Sequence, residues 1–184
     1  MNMTALVPIA DGSEDIEAVT IIDVLRRAHV EVTVASIHEH QTITASRRTR
    51  ITADALLQDC VDHDYDVIVL PGGMPGAKHL SECALLIDRL RRQREAGFWY
   101  AAICAAPAVA LAPHGLLDGV AATGHEGFRE DLPDQSRVSE RVVVDQNCIT
   151  SQGPGSAIEF ALEVVARVCG KDVRDQVAAP MMLP

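Results

Sequence analysis

The sequence has no apolar run approaching the roughly 20 residues that a membrane-spanning helix requires, so an integral membrane role is not expected. It has no block of basic residues beyond "SRRTR" at 46–50, and its formal net charge is −10. Phosphate backbones are bound by basic faces, so specific nucleic-acid binding is not expected either. The five cysteines, Cys60, Cys83, Cys104, Cys148 and Cys169, form no CxxC pair. That removes a zinc ribbon and a thioredoxin-type dithiol. No HExxH or comparable ligand pattern occurs, and "HEH" at 38–40 reads as a solvated loop rather than a weak metal site, so no metal is expected. The turn "PGGMPG" at 71–76 lacks both the G-K-[ST] ending of a Walker loop and the G-x-G-x-x-G of a dinucleotide fold. The stretch "MNMTALVPIADGSED" has neither a basic region nor a signal-type apolar core, so the expected setting is the cytoplasm, where thiols stay reduced.

What is present is an ordinary globular composition, 48% hydrophobic and 23% charged over 184 residues, read as a single domain spanning 1–184. Strand and helix patterns alternate. Apolar or β-branched runs at 4–10, 30–36, 65–70 and 98–103 read as strands, with a short strand around 49–54 and a hairpin within 137–151. Helical spacing covers 14–28, with Ile16, Val19, Ile22 and Leu25 as its apolar stripe, then 78–96, a helix from about Ala106, and 153–170. This alternation implies an α/β fold, a flavodoxin-like α/β/α sandwich around a mostly parallel central sheet. Ligands of such sheets bind beyond the carboxyl ends of the strands. Three turns should therefore meet at one edge: "ADGSED", "LPGGMPGA" and "AICAAP".

Each turn has a chemical and a plain reading. In "AAICAAPAVALA" the residues flanking Cys104 are small, as at a nucleophile elbow, where a sharp strand-to-helix turn raises the reactive atom. Helix N–H groups there would lower the thiol pKa. The alternative is an inert buried cysteine. Gly72 and Gly73 would let backbone N–H groups approach a ligand as an oxyanion hole does, or merely break the strand. Glu14, Asp15 and Glu17 suit the first turn of a helix, yet one of them can reach the thiol as a proton shuttle. His125, on a loop in "TGHEGF", is the candidate third group. "SQGPGS" at 151–156 reads as a second such turn or as a helix cap.

These turns, in this order on this strand pattern, resemble the DJ-1/PfpI (ThiJ/PfpI) superfamily, and within it the DJ-1 and bacterial YajL-type branch. The likeness covers nearly the whole chain through "EDIEAVTIIDVLRRAHVEVTVAS", "YDVIVLPGGMPGAKHLSE", "AAICAAPAVALA" and "TSQGPGSAIEFALEVV". It implies a reactive cysteine at Cys104, a helix-one glutamate at Glu17 rather than Glu14, and an oxyanion-type glycine at Gly73 with Gly72 beside it. Ala105 joins them as a backbone donor. It also implies a site histidine at His125, followed here by Glu126 where the branch usually has proline, and a substrate-side arginine at Arg47. Protease-like members carry histidine immediately after the cysteine. Ala105 stands there, which argues against a peptidase. The implied activity is cofactor-free: glyoxalase III-type or deglycase chemistry on small reactive aldehydes or glycated protein or nucleotide, in a homodimer. The implied alternative is a non-enzymatic oxidative-stress sensor or redox-regulated chaperone acting through Cys104 oxidation.

Overall fold

A computed structural model describes residues 3–183. In chain order the elements are β1 (Thr4–Ile9), α1 (Asp15–Arg27), β2 (Glu31–Ser36), β3 (Thr42–Thr44), β4 (Arg50–Thr52), β5 (Ala55–Leu56), α2 (Leu57–Cys60), β6 (Val67–Leu70), α3 (Gly76–Glu82), α4 (Ala84–Glu95), β7 (Trp99–Ile103), β8 (Val142–Asp145), β9 (Cys148–Ser151), α5 (Ala157–Val168) and α6 (Lys171–Ala178). One sheet runs in the order β5-β2-β1-β6-β7-β9-β8, and β3 with β4 forms a separate ribbon. Within the large sheet only β8 is antiparallel, through its hairpin to β9. Every residue of β6 and β9 is buried, as expected of strands covered on both faces by helices. This is the expected flavodoxin-like α/β arrangement.

Four local readings change. The apolar stripe of α1 is not Ile16, Val19, Ile22 and Leu25, because Ile16 and Val19 are 55% and 49% exposed. The buried face is Glu17, Ala18, Ile21, Val24 and Leu25. Seating the Glu17 carboxyl inside the protein sets this phase of the helix. The helix read across 78–96 is two helices broken at Cys83, whose ψ of 94° is extended. Beyond Cys104 there is no long helix: a π-helical turn, 107–111, tightens to a 3₁₀ turn at 112–114 and stops at Gly115, whose φ is +71°. Pro113 denies that segment a backbone donor. The polar stretch 37–65 holds β3, β5 and α2 besides the short strand placed near 49–54.

Because β1, β6 and β7 are parallel neighbours, their carboxyl ends open at one edge. The three turns singled out above meet there. β9 pairs in parallel with β7 and adds a fourth, the turn that begins at Ser151.

Candidate active site

The β7 strand ends at Ile103, and Cys104 turns the chain with φ +65°. A side chain in the left-handed region costs on the order of 1–3 kcal/mol unless its surroundings hold it. Here they do. The Cys104 N–H donates to the Ser151 carbonyl at 3.0 Å, and the Cys104 carbonyl accepts from the His125 N–H at 2.8 Å. Ala101, Ala102, Ala105 and Ala106 are all buried around the turn, so their small size is what lets β7 and the following turn close on it. Cys104 is buried, with 8% of its surface exposed.

Glu17 comes to the thiol from the first turn of α1 and is fully buried. Its Oε2 accepts the Gly72 N–H at 2.8 Å, while Oε1 has no hydrogen-bond partner among the described residues. Gly72 is the spacer between acid and thiol. A Cβ added there would lie 2.6 Å from Cys104 Cβ, 2.7 Å from the Ile103 carbonyl oxygen and 2.9 Å from Glu17 Oε2. Gly73 follows with φ +86°, and a Cβ on it would lie 2.5 Å from the Glu14 nitrogen and the Gly12 oxygen. The backbone N–H groups of Gly73 and Ala105 favour the ionised form of the Cys104 thiol. Two of the expected donors thus act on the thiol electrostatically, and the third, Gly72, serves the carboxyl.

Burial pushes the Glu17 carboxyl up from 4.5 to about 7, against the lowering influence of the Gly72 N–H. Burial, and next the Glu17 charge, push the Cys104 thiol up to about 12. The thiol pKa is therefore raised, not lowered as the helix-terminus reading anticipated, because desolvation and a neighbouring carboxylate outweigh the N–H dipoles. A proton on Glu17 removes the repulsion and supplies a donor to the sulfur.

His125 stands beside Cys104 through the backbone bond already described. Its Nδ1 accepts the Gly127 N–H at 3.2 Å, which leaves Nε2 as the protonated, donating nitrogen. Arg47 lies at the exposed tip between β3 and β4. Its backbone N–H donates to Asp15 Oδ2 at 2.7 Å, and its guanidinium makes no hydrogen bond to the cysteine cluster. Asp15 clamps that tip to α1. Burial is the largest single influence and raises its carboxyl, but the Thr49 hydroxyl, the Arg47 and Thr49 N–H groups and Ser46 together outweigh it and hold the carboxyl at about 2. Glu14 is engaged outside the site, accepting from Ser46 Oγ at 2.7 Å. Among the described residues no group of three His, Cys, Asp or Glu side chains converges as a metal would need. Gly153 belongs to "SQGPGS", which the sequence reads as a second glycine turn or as a helix cap, and the structure favours the former. A Cβ on it would lie 3.8 Å from His125 Cδ2 and 4.0 Å from Cys104 Sγ, so it walls the site. The likeness of "SQGPGS" to the "PGGMPG" turn was the available signal.

The sequence pattern of the DJ-1/PfpI family matches residues 3–167. The chain belongs to the DJ-1/PfpI family. Protein DJ-1 homolog B of Arabidopsis thaliana is 47% identical over 167 residues, 91% of this chain and 38% of that protein. The chain thus spans well under half the length of that plant relative. The glutathione-independent glyoxalase DJR-1.2 of Caenorhabditis elegans is 33% identical over 175 residues, covering 94% of this chain and 92% of that one. Among solved structures, oxidized Toxoplasma gondii DJ-1 superposes with a TM-score of 0.95 at 42% identity, covering 98% of each chain. Within the DJ-1/PfpI frame the chain falls in the DJ-1 branch, as its motifs suggested.

The burial of Glu17 has a measurable cost. Above 4.5 the unfolded chain ionises this group, while the folded protein keeps its proton up to about 7. Its contribution is therefore absent at low pH and grows more unfavourable as pH rises through that window, reaching about 3 kcal/mol. Urea unfolding across this range should show Glu17→Gln gaining on the parent protein from pH 4.5 to pH 7 and levelling off above it. A gap between the two that does not change with pH would contradict the raised carboxyl.

Proposed function

We propose that this protein converts reactive carbonyl compounds through Cys104, in the cofactor-free manner of a glyoxalase III or deglycase. The observation that carries the reading is the positive-φ elbow thiol beside a buried carboxyl pushed up to about 7, with the Gly73 and Ala105 N–H groups favouring the thiolate. A proton carrier is most effective when its pKa lies near the working pH. The Caenorhabditis elegans relative, a glutathione-independent glyoxalase, supports the same chemistry.

The steps balance with water alone. As Cys104 sulfur bonds to the aldehyde carbon of methylglyoxal, Glu17 takes the thiol proton and passes it to the carbonyl oxygen, giving a hemithioacetal. The Gly73 and Ala105 N–H groups steady the oxygen while it is charged. Glu17 then removes the hydrogen of the former aldehyde carbon as a proton and returns it to the adjacent carbon through an enediol. That carbon is reduced as its neighbour is oxidised, and a lactoyl thioester results. His125 Nε2–H gives its proton to the ketone oxygen as the enediol forms and regains one from the hydroxyl of the former aldehyde carbon as that carbon becomes the thioester carbonyl. Water cleaves the thioester, releasing lactate and the thiol. Glycated protein or nucleotide would enter as the corresponding adducts.

One observation favours a second reading. Donors that steady an oxyanion equally suit an oxidised sulfur, and the matched Toxoplasma gondii structure is of an oxidized protein. In this reading two peroxide molecules each deliver one oxygen to Cys104 and leave as water. The resulting sulfinate is held by protonated Glu17, and partner binding changes without turnover.

Methylglyoxal turnover by the parent protein should exceed that of Cys104→Ser and fall about 10²–10⁴-fold in Glu17→Gln. Turnover no better than Cys104→Ser removes the enzymatic reading. Intact mass after mild peroxide should show two added oxygens on Cys104, and oxygen added elsewhere or nowhere removes the second reading.

The functional unit in this proposal is a homodimer, as family membership leads one to expect. The exposed apolar pair Ile16 and Val19 on α1 offers surface for it. Light scattering over a concentration series should report twice the chain mass. Monomer at every concentration rejects the dimer.

A further inference from the structure

The turn that walls the thiol opens on its far side into a cleft of about 200 Å³, lined among others by His125, Glu126, Arg129, Arg141, Gln152 and Gly153. Gly153 and His125 are shared between this cleft and the site. A Cβ built on Gly153 would lie 4.0 Å from Cys104 Sγ, so a substrate bonded to that sulfur can extend past Gly153 toward the cleft. The two cations of the cleft differ in freedom. Arg141 is committed: its Nε pairs with Glu159 at 2.8 Å and its Nη2 donates to the Gly155 carbonyl at 2.6 Å. Arg129 donates only Nε, to the Gly124 carbonyl at 3.2 Å, and among the described residues it has no acidic partner. Its Nη groups remain as planar paired donors, the arrangement that matches a carboxylate. Glu126 is the opposing charge. It is exposed, lines the same cleft and makes no ion pair with Arg129.

We infer that this cleft is a specificity subsite for the tail of the carbonyl substrate, in which Arg129 selects a carboxylate and Glu126 limits that preference. The substrate class is then an α-oxoaldehyde, or an adduct of one, carrying an anionic group a few bonds from the aldehyde. Naming this class rests on the carbonyl-processing reading above. The charge selectivity of the cleft does not, and it can be measured on Cys104 without turnover.

Two alkylating reagents of equal length suffice, N-iodoacetylglycine and its neutral amide, with the rate at Cys104 followed by mass and normalised to the same pair reacting with free glutathione. The normalised acid-to-amide ratio should fall about 1.4–5-fold in Arg129→Gln and rise by a similar factor in Glu126→Gln, the range expected when one partly exposed ionic contact is lost. Rates with the neutral amide should be unchanged in both variants, which reports an intact thiol and fold. In parallel, kcat/KM for 4,5-dioxovalerate relative to methylglyoxal should fall in Arg129→Gln and rise in Glu126→Gln. Equal alkylation ratios in all three proteins overturn the subsite. Altered ratios without methylglyoxal turnover keep the subsite and overturn the carbonyl-processing function.

Discussion

Every feature of the site depends on the absence of a side chain at Gly72. Its backbone N–H holds Glu17 Oε2, and its bare Cα lets Cys104 Cβ and the Glu17 carboxyl close over it from two sides. A methyl group there would meet three atoms at once, two of them belonging to the β7 end and its elbow. The sheet supplies the rest. β6 and β7 are parallel neighbours in register from Val67 with Trp99 to Leu70 with Ala102, so the turn after β6 necessarily stands beside the turn after β7. β1 on the other side of β6 delivers α1 and, with it, Glu17. The strain at Cys104 is borne by the bonds to Ser151 and His125, which come from β9 and the loop before β8.

Much of this was legible in the sequence because it depends on order and spacing. Strands fully covered by helices read as short apolar runs, and parallel strands put their following turns on one edge. The meeting of Glu17, Gly72, Gly73 and Cys104 follows from those two facts. What was not legible depends on side chains competing for space. The α1 stripe was misphased because Ile16 and Val19 are apolar, whereas the interior position is taken by an acid, Glu17. No periodicity of apolar residues can announce a buried carboxyl. The shortened helix after Cys104 had its signals in Pro113 and Gly115, which a run of alanines outweighed. The thiol pKa went the other way because helix dipoles can be read from sequence, while desolvation and the approach of Glu17 are properties of the packed interior.

The site also divides its labour between two kinds of group. Backbone N–H donors, from Gly72, Gly73 and Ala105, are fixed by turns that glycine or small residues permit, and they need no reorganisation as charge develops. The ionisable pair is the adaptable part: one proton serves either the carboxyl or the sulfur, and Gly153 stands between that sulfur and a cleft lined by Arg129 and Glu126. In the proposed function, chemistry and selectivity fall to different turns of the same sheet edge.

The central claim is that Glu17 is a buried acid that changes its protonation near neutrality beside Cys104. Infrared difference spectra between the parent protein and Glu17→Gln read this directly, through the C=O stretch of a protonated carboxyl. The account predicts a band that is present at acid pH and disappears with a midpoint of about 7. A midpoint at the ordinary carboxyl value of 4.5 would contradict it.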